Sequence, residues 1–350
     1  MRKEFEEALQ RAEKLEELSV EELVVLISAD EKESVALFQL ADEIRFRFMG
    51  DEIHLRGIIE FSNVCVKNCL YCGLRRDNAI LVRYRMSPGE ILESARLAAD
   101  LGCRTIVLQS GEDGFFPIES LAEIILKMKN ELDVAITMSV GDRTRNDYAV
   151  LREAGADRYL LKHETCDSRL FSDLRPGTTL EERVRCMNLL RELGYQIGSG
   201  NMVGLPGQTV EILAKDILFM RRLEVEMAGI GPFIPNKQTP LGNSCGGILE
   251  LTLKTLAAAR LALNYSHLPA TTSTSTIHPL GRMKALQCGA NVIMPNMTPT
   301  KYRINYSLYP GKTGQADTPE ESYAKAIKMV ESVGRKVGKD YGHSPRYKFA

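Results

Sequence analysis

The chain has almost no surplus of either charge: 45 Lys and Arg face 46 Asp and Glu, a formal net charge of −1 over 350 residues. A general nucleic-acid binder carries a basic excess, so that class is excluded. Long apolar runs are missing too. No stretch of about 18 apolar residues occurs, which excludes a membrane-spanning helix, and the charged opening Met1-Arg-Lys-Glu-Phe-Glu-Glu7 leads into no apolar h-region. The expectation is a cytoplasmic protein with no membrane and no nucleic-acid partner. Histidines number five, and His54, His163, His267, His278 and His343 form no close pair of the kind that completes a zinc loop. The eight cysteines do not suit a secreted disulfide framework, because five of them stand singly.

The other three cysteines are concentrated in Cys65-Val-Lys-Asn-Cys69-Leu-Tyr-Cys72, just after an apolar run. Thiolates at this density can wrap one metal centre. A structural zinc site would need a fourth ligand close by, and Cys103, Cys166, Cys186, Cys245 and Cys288 are all distant in sequence. An iron–sulfur cluster on three thiolates would instead leave one iron open to a ligand that is not protein.

With 44% hydrophobic residues the chain can bury a large core. Residues 1–50 read as a helical cap, with Ser19-Val-Glu-Glu22 as a capping box. From residue 53, short apolar runs alternate with helix-period segments. Candidate strands are 53–62, 105–111, 134–141, 158–164, 196–204, 227–235, 269–276 and 291–297. Helix starts such as Ser87-Pro-Gly-Glu90 and Thr179-Leu-Glu-Glu182 lie between them. This alternation, without a linker, predicts an α/β fold: a (β/α)8 TIM barrel over 51–312, with the N-terminal helical extension and a C-terminal helical extension at 313–350 as parts of one structural domain. The last helix is expected from Thr318 to about Val337. In such a barrel the active site forms at the C-terminal ends of the strands, where Gln109, Ser110, Glu112, Thr137, Ser139, Lys162, Glu164 and the hydroxyls of Thr271–Ser275 fall. His163 is read as a structural hydrogen-bonding residue.

Cys65, Cys69 and Cys72, with Tyr71 before the last, resemble the signature of the radical S-adenosylmethionine (SAM) superfamily. The resemblance implies one oxygen-sensitive [4Fe–4S] cluster on those cysteines, SAM chelated to the open iron, and cleavage to a 5′-deoxyadenosyl radical on delivery of an electron by an external donor. Gln109-Ser-Gly-Glu112-Asp113 is similar to that superfamily's Gly-Gly-Glu element, with Ser110 in place of the first glycine. Further stretches, among them Gly73-Leu-Arg-Arg-Asp-Asn78, Tyr159-Leu-Leu-Lys-His-Glu-Thr165, Met202-Val-Gly-Leu-Pro-Gly-Gln-Thr209 and Asn291-Val-Ile-Met-Pro-Asn296, resemble the HydE family of [FeFe]-hydrogenase maturases. That family groups with biotin synthase and methylornithine synthase.

By this resemblance SAM is held by Tyr71, Glu112, Ser139, Glu164, Arg183 and Met294. A substrate cavity is lined by Arg56, Gln109, Ser110, Thr137, Lys162, Thr271, Thr272 and Tyr306. The implied substrate is a small anionic or organometallic iron–cysteine complex, with other hydrogenase maturases as partners. Two departures stand out: 313–322 holds no cysteine for a second cluster, and Lys162 stands where the family carries Arg. A point ammonium does not reproduce a guanidinium fork. The alternatives are a HydE-like enzyme of another pathway, such as an amino-acid mutase like methylornithine synthase, or a non-catalytic carrier of an iron–sulfur precursor.

Overall fold

The computed structural model describes residues 1–347. Its strands, in chain order, are β1 (Glu52–Ser62), β2 (Thr105–Ser110), β3 (Ala135–Ser139), β4 (Arg158–Leu160), β5 (Gln196–Ser199), β6 (Met202–Val203), β7 (Met227–Ala228), β8 (Gly231–Pro232), β9 (Val292–Ile293) and β10 (Lys336–Val337). The main sheet is parallel and runs β10-β1-β2-β3-β4-β5-β7, with β9 also on β1. Sequential parallel strands joined by outer helices twist one way, and the sheet curls into a half-barrel. Beyond its edge, single bridges join Met227 to His267 and Pro269 to Val292. A separate parallel pair is formed by β6 and β8.

Side-chain alternation divides each strand between two environments. On β1, Leu55, Ile59 and Phe61 enter the apolar layer beneath the helices, whereas Arg56, Ile58 and Glu60 line an interior cavity. On β2 and β3 the same rule sends Ile106, Leu108, Ile136 and Met138 outward, and Val107, Gln109, Thr137 and Ser139 inward. The expected capping boxes at Ser19, Ser87, Thr179 and Thr318 are all formed. The N-terminal helices Val20–Ile27 and Glu31–Met49 pack on the outer helices Val210–Arg222 and Leu249–Ala262. No helix among the described residues is long and apolar enough to cross a membrane.

Several sequence expectations are corrected. The stretch 269–276 is not a strand: after the bridge at Pro269 the chain turns into a helix, Thr272–Ile277. Its hydroxyls bond within that turn, Thr274 donating to the Thr271 carbonyl at 2.7 Å and Ser275 to that of Thr272 at 2.9 Å, and so need no neighbouring strand. The strand expected at 158–164 stops at Leu160, before Glu164, whose φ is +64°. The stretches 196–204 and 227–235 each break in two, giving the β5/β6 and β7/β8 pairs.

The last helix ends at Ser332, and the chain then adds β10 beside Glu52 and Ile53. From there the C-terminal segment closes the floor of the sheet. Arg56 donates to the Gly342 carbonyl at 3.0 Å, and Arg158 and Thr105 both donate to the Tyr341 carbonyl, at 2.6 and 2.8 Å. Gly342, at φ +56°, lies so close to the His54 ring that a Cβ there would fall 2.8 Å from its Cγ.

Candidate active site

A cavity of about 400 Å³ opens inside the curl of the sheet at the C-terminal ends of its strands. Every site residue named from the sequence borders it, Cys65, Cys69 and Cys72 as well as Thr271, Thr272 and Tyr306. The cysteine loop follows β1 directly and is held from several sides. Gly111, at the end of β2, must lack a side chain, because a Cβ there would sit 2.2 Å from the Val64 carbonyl oxygen. The Val66 amide donates to the Glu112 carbonyl at 2.9 Å. Arg83 then ties the loop from beneath, donating to the carbonyls of Asn63, Leu74 and Arg75 at 2.7, 2.9 and 2.7 Å.

The cysteines are free thiols, and burial pushes those of Cys65 and Cys72 above their ordinary range. Among the described residues, a set of ligand atoms all within 4.8 Å of one another occurs at Glu52, His54 and Asp340, not at these three sulfurs. A single zinc ion holds its sulfurs at about 2.3 Å and hence within about 4.6 Å of each other. The wider spread fits a multi-iron cluster better than one zinc ion, and its positive charge is what would deprotonate thiols raised by burial.

Beside the cysteines lies a charged network with vacancies in its hydrogen bonding. The Glu112 carboxylate is 3.5 Å from Lys67 Nζ, 3.7 Å from Arg175 and 4.0 Å from Arg183. Burial raises its pKa, with Asp142 adding to the effect. Arg183 lies 3.1 Å from Asp142 Oδ2, yet its Nε and Nη2 make no hydrogen bond of good geometry, and Asp142 Oδ1 is unpartnered as well. Tyr71 accepts from Arg175 at 2.9 Å. Buried charges without full partners are costly, and this set offers both signs of charge to an incoming ligand.

Glu164 adopts a left-handed backbone, which costs a residue with a Cβ about 1–2 kcal/mol. Its Oε2 lies 3.2 Å from Lys162 Nζ but lacks a hydrogen bond, and Lys162 donates to the Asn201 carbonyl at 3.2 Å. Lys162 is therefore engaged with Glu164 at the cavity wall. His163 has the structural role expected of it, buried with Nδ1 2.9 Å from Ser199 Oγ.

Elsewhere on the wall, Thr271 Oγ1 contacts Ser273 Oγ at 2.9 Å, and Thr272 accepts from Arg282 at 2.5 Å. Thr137 Oγ1 is buried without a partner. Tyr306 is bonded to Gln109 and has the Lys312 ammonium 5.1 Å from its ring centre.

A sequence profile of the Radical SAM superfamily matches residues 59–220. The [FeFe] hydrogenase maturase subunit HydE of Thermotoga maritima is 51% identical over 344 residues, covering 98% of both chains. The chain belongs to the HydE family of radical SAM proteins. A 3-methylornithine synthase of Methanosarcina acetivorans is 30% identical over 91% of this chain and 90% of its own. Among solved structures, methylornithine synthase (PylB) superposes with a TM-score of 0.83 at 23% identity, over 95% of this chain and 97% of that one. The hydrogenase maturase HydG gives 0.82 at 19% identity, over 96% and 76%. These two likenesses concern the fold.

Within this HydE-family cavity, several wall residues escaped the sequence reading. Glu60 and Lys312 form a buried ion pair, and Glu60 also accepts from Asn296 at 2.8 Å. Alternation along β1 from Arg56 would have found Glu60, whereas Lys312 lies in a loop with no local signal. Arg175, which reaches the cavity from the end of a short helix, was missed for the same reason, as were Asp142 and Arg282, which stand behind the wall residues Arg183 and Thr272.

Proposed function

We propose that this chain is a hydrogenase maturase that binds one [4Fe–4S] cluster and SAM and acts on a small anionic, organometallic iron–cysteine substrate. The single observation that supports this reading most is one cavity whose wall holds the three cysteines together with cations and hydroxyls. We read the curled sheet as a complete (β/α)8 barrel, supported by the bridges that carry it from β7 through His267 and Pro269 to β9 and back to β1. A single cluster is supported by the scatter of the remaining five cysteines.

Cys65, Cys69 and Cys72 would hold the cluster, and Glu112, Arg183, Glu164, Ser139 and Met294 the SAM. When bound, this pair supplies a carbon-centred radical. The residues of the chain then have three tasks. Glu112, and Arg183 with its unpartnered Nε and Nη2, offer opposite charges to the ammonium and carboxylate of an amino-acid ligand. Lys312 and the hydroxyls of Thr271, Thr272 and Thr137, with Arg282 behind Thr272, provide an anion-tolerant wall. The apolar wall residues, among them Ile58, Val107 and Phe233, exclude water from a reactive intermediate and hold the two ligands in contact.

A second reading, an amino-acid mutase, is favoured by the identity to the methylornithine synthase and by a cation set that suits a carboxylate equally well. Anaerobic turnover with SAM and dithionite, reading 5′-deoxyadenosine, separates the two. Stimulation by the iron–cysteine complex with no product from free lysine supports the maturase. Rearrangement of free lysine overturns it, and an absence of SAM cleavage with every substrate favours the carrier.

A further inference from the structure

The floor of the sheet brings together a second group of ligating side chains, none of which lines the cavity. On β1 a period of two sets Glu52 and His54 on the face that carries Arg56. The C-terminal segment runs alongside, with Glu52 opposite Lys336, Ile53 opposite Val337, and the Gly338 amide donating to the Ile53 carbonyl at 3.0 Å. Asp340 then falls beside His54. Its Oδ1 accepts from the Gly342 amide at 2.8 Å, which turns the carboxylate toward the ring, and lies 3.4 Å from His54 Nδ1. A Cβ on Gly338 would stand 2.6 Å from that same Nδ1 and 3.4 Å from Glu52 Oε2, so the missing side chain leaves the imidazole and the second carboxylate facing one point.

Two observations mark this point as a ligand site. His54 is only 9% exposed, its ring is held edge-on to that of His267 at 5.2 Å, and its Nδ1 makes no hydrogen bond. A neutral imidazole presents a lone pair there, and a buried polar atom without a partner is costly. The carboxylates are unclaimed as well. Among the described residues neither Glu52 nor Asp340 forms an ion pair with a Lys or Arg, and the nearby guanidinium groups of Arg56 and Arg158 are turned to backbone carbonyls.

We propose that Glu52, His54 and Asp340 bind one zinc ion, which clasps the C-terminal segment to β1. Their ligand atoms lie within 4.8 Å of one another. The 3.4 Å between His54 Nδ1 and Asp340 Oδ1 matches two ligands on a tetrahedral zinc, which stand about 3.4 Å apart at ordinary bond lengths. Half-buried Glu52 supplies the third ligand and water the fourth. A nitrogen with two carboxylate oxygens suits zinc better than calcium or magnesium, which take oxygen ligands. A clip between residues so distant in sequence closes a long loop and holds the floor shut.

The test uses the full-length, cluster-loaded protein, whose cysteine loop is occupied, dialysed anaerobically against zinc, beside Asp340→Asn and Glu52→Gln. Both substitutions keep the shape of a side chain that reaches solvent, so the His54 packing is undisturbed. The parent should hold one zinc per chain that the variants bind about tenfold or more weakly, and about a thousandfold excess of magnesium should not displace it. Zinc should slow amide hydrogen exchange in residues 336–344 of the parent about tenfold or more, and not in the variants. Equal zinc binding in parent and variants overturns the proposal. So does zinc uptake that leaves exchange in 336–344 unchanged, and displacement by magnesium overturns the choice of metal.

Discussion

The mouth and the floor of the curled sheet are both lined with buried charge, yet the two differ in how that charge is satisfied. At the floor, Arg56 and Arg158 reach backbone carbonyls of the C-terminal segment, and Arg158 also reaches Thr105 Oγ1 at 3.0 Å, so that of each guanidinium only Nε lacks a partner. At the mouth, Arg183, Asp142 and Glu164 retain unpartnered atoms, and Glu164 holds a strained backbone. Buried polar groups answered by the protein are part of its stability, whereas those left unanswered are available to a ligand. Arg56, which lines the cavity, is engaged largely with the floor: its other contact is Met227 Sδ at 2.9 Å.

Substitutions at the two ends should therefore separate activity from stability. The largest effect is expected at the cysteines. Replacing Cys65, Cys69 or Cys72 by Ala should reduce SAM cleavage to background and lower bound iron from about four per chain, while circular dichroism stays native. Retained cleavage in any one variant would break the assignment. Next, Arg183→Ala should weaken SAM binding by about 2–5 kcal/mol with little change in the unfolding midpoint, as measured by equilibrium dialysis and urea titration. Normal SAM affinity would move Arg183 into the structural class.

The floor should behave in the opposite way. Arg158→Met removes one of the two donors to the Tyr341 carbonyl and the donor to Thr105 Oγ1, and should lower stability by about 2–3 kcal/mol, with SAM affinity unchanged. A loss of affinity at unchanged stability would erase the distinction between the ends.

The smallest effect concerns pH. Burial, reinforced by Arg56, depresses the His54 imidazole from 6.5 to about 4, and burial with Arg158 does the same to His343, also to about 4. The unfolded chain then takes up protons below about 6.5 that the native floor refuses. This stability is complete above pH 6.5 and is lost as the pH falls toward 4, costing about 1 kcal/mol at pH 5.5 for His54. Urea midpoints at pH 7.5 and 5.5 measure the loss, which His54→Asn should diminish. An unchanged parent midpoint would show that these imidazoles are not held neutral.

Local rules in the sequence account for much of the molecule. A period of two separates Arg56, Ile58 and Glu60 from Leu55, Ile59 and Phe61, and Ser/Thr-x-x-Glu marks helix starts at Ser19, Ser87, Thr179 and Thr318. The cysteine triplet and the residues closing the strands were legible because their spacing is short or their position in a parallel α/β fold is fixed. Tertiary structure decided the rest. Whether Thr272–Ile277 is strand or helix depends on which carbonyls its hydroxyls reach, since Ser and Thr bond locally in either state. Lys312 meets Glu60, Arg183 meets Asp142, and residues 338–344 meet the floor across separations of 41 to about 290 residues, which no local pattern encodes. Such pairings exist only once the apolar faces have packed and water has been excluded, when each buried charge must find a partner in space or keep a place for a ligand.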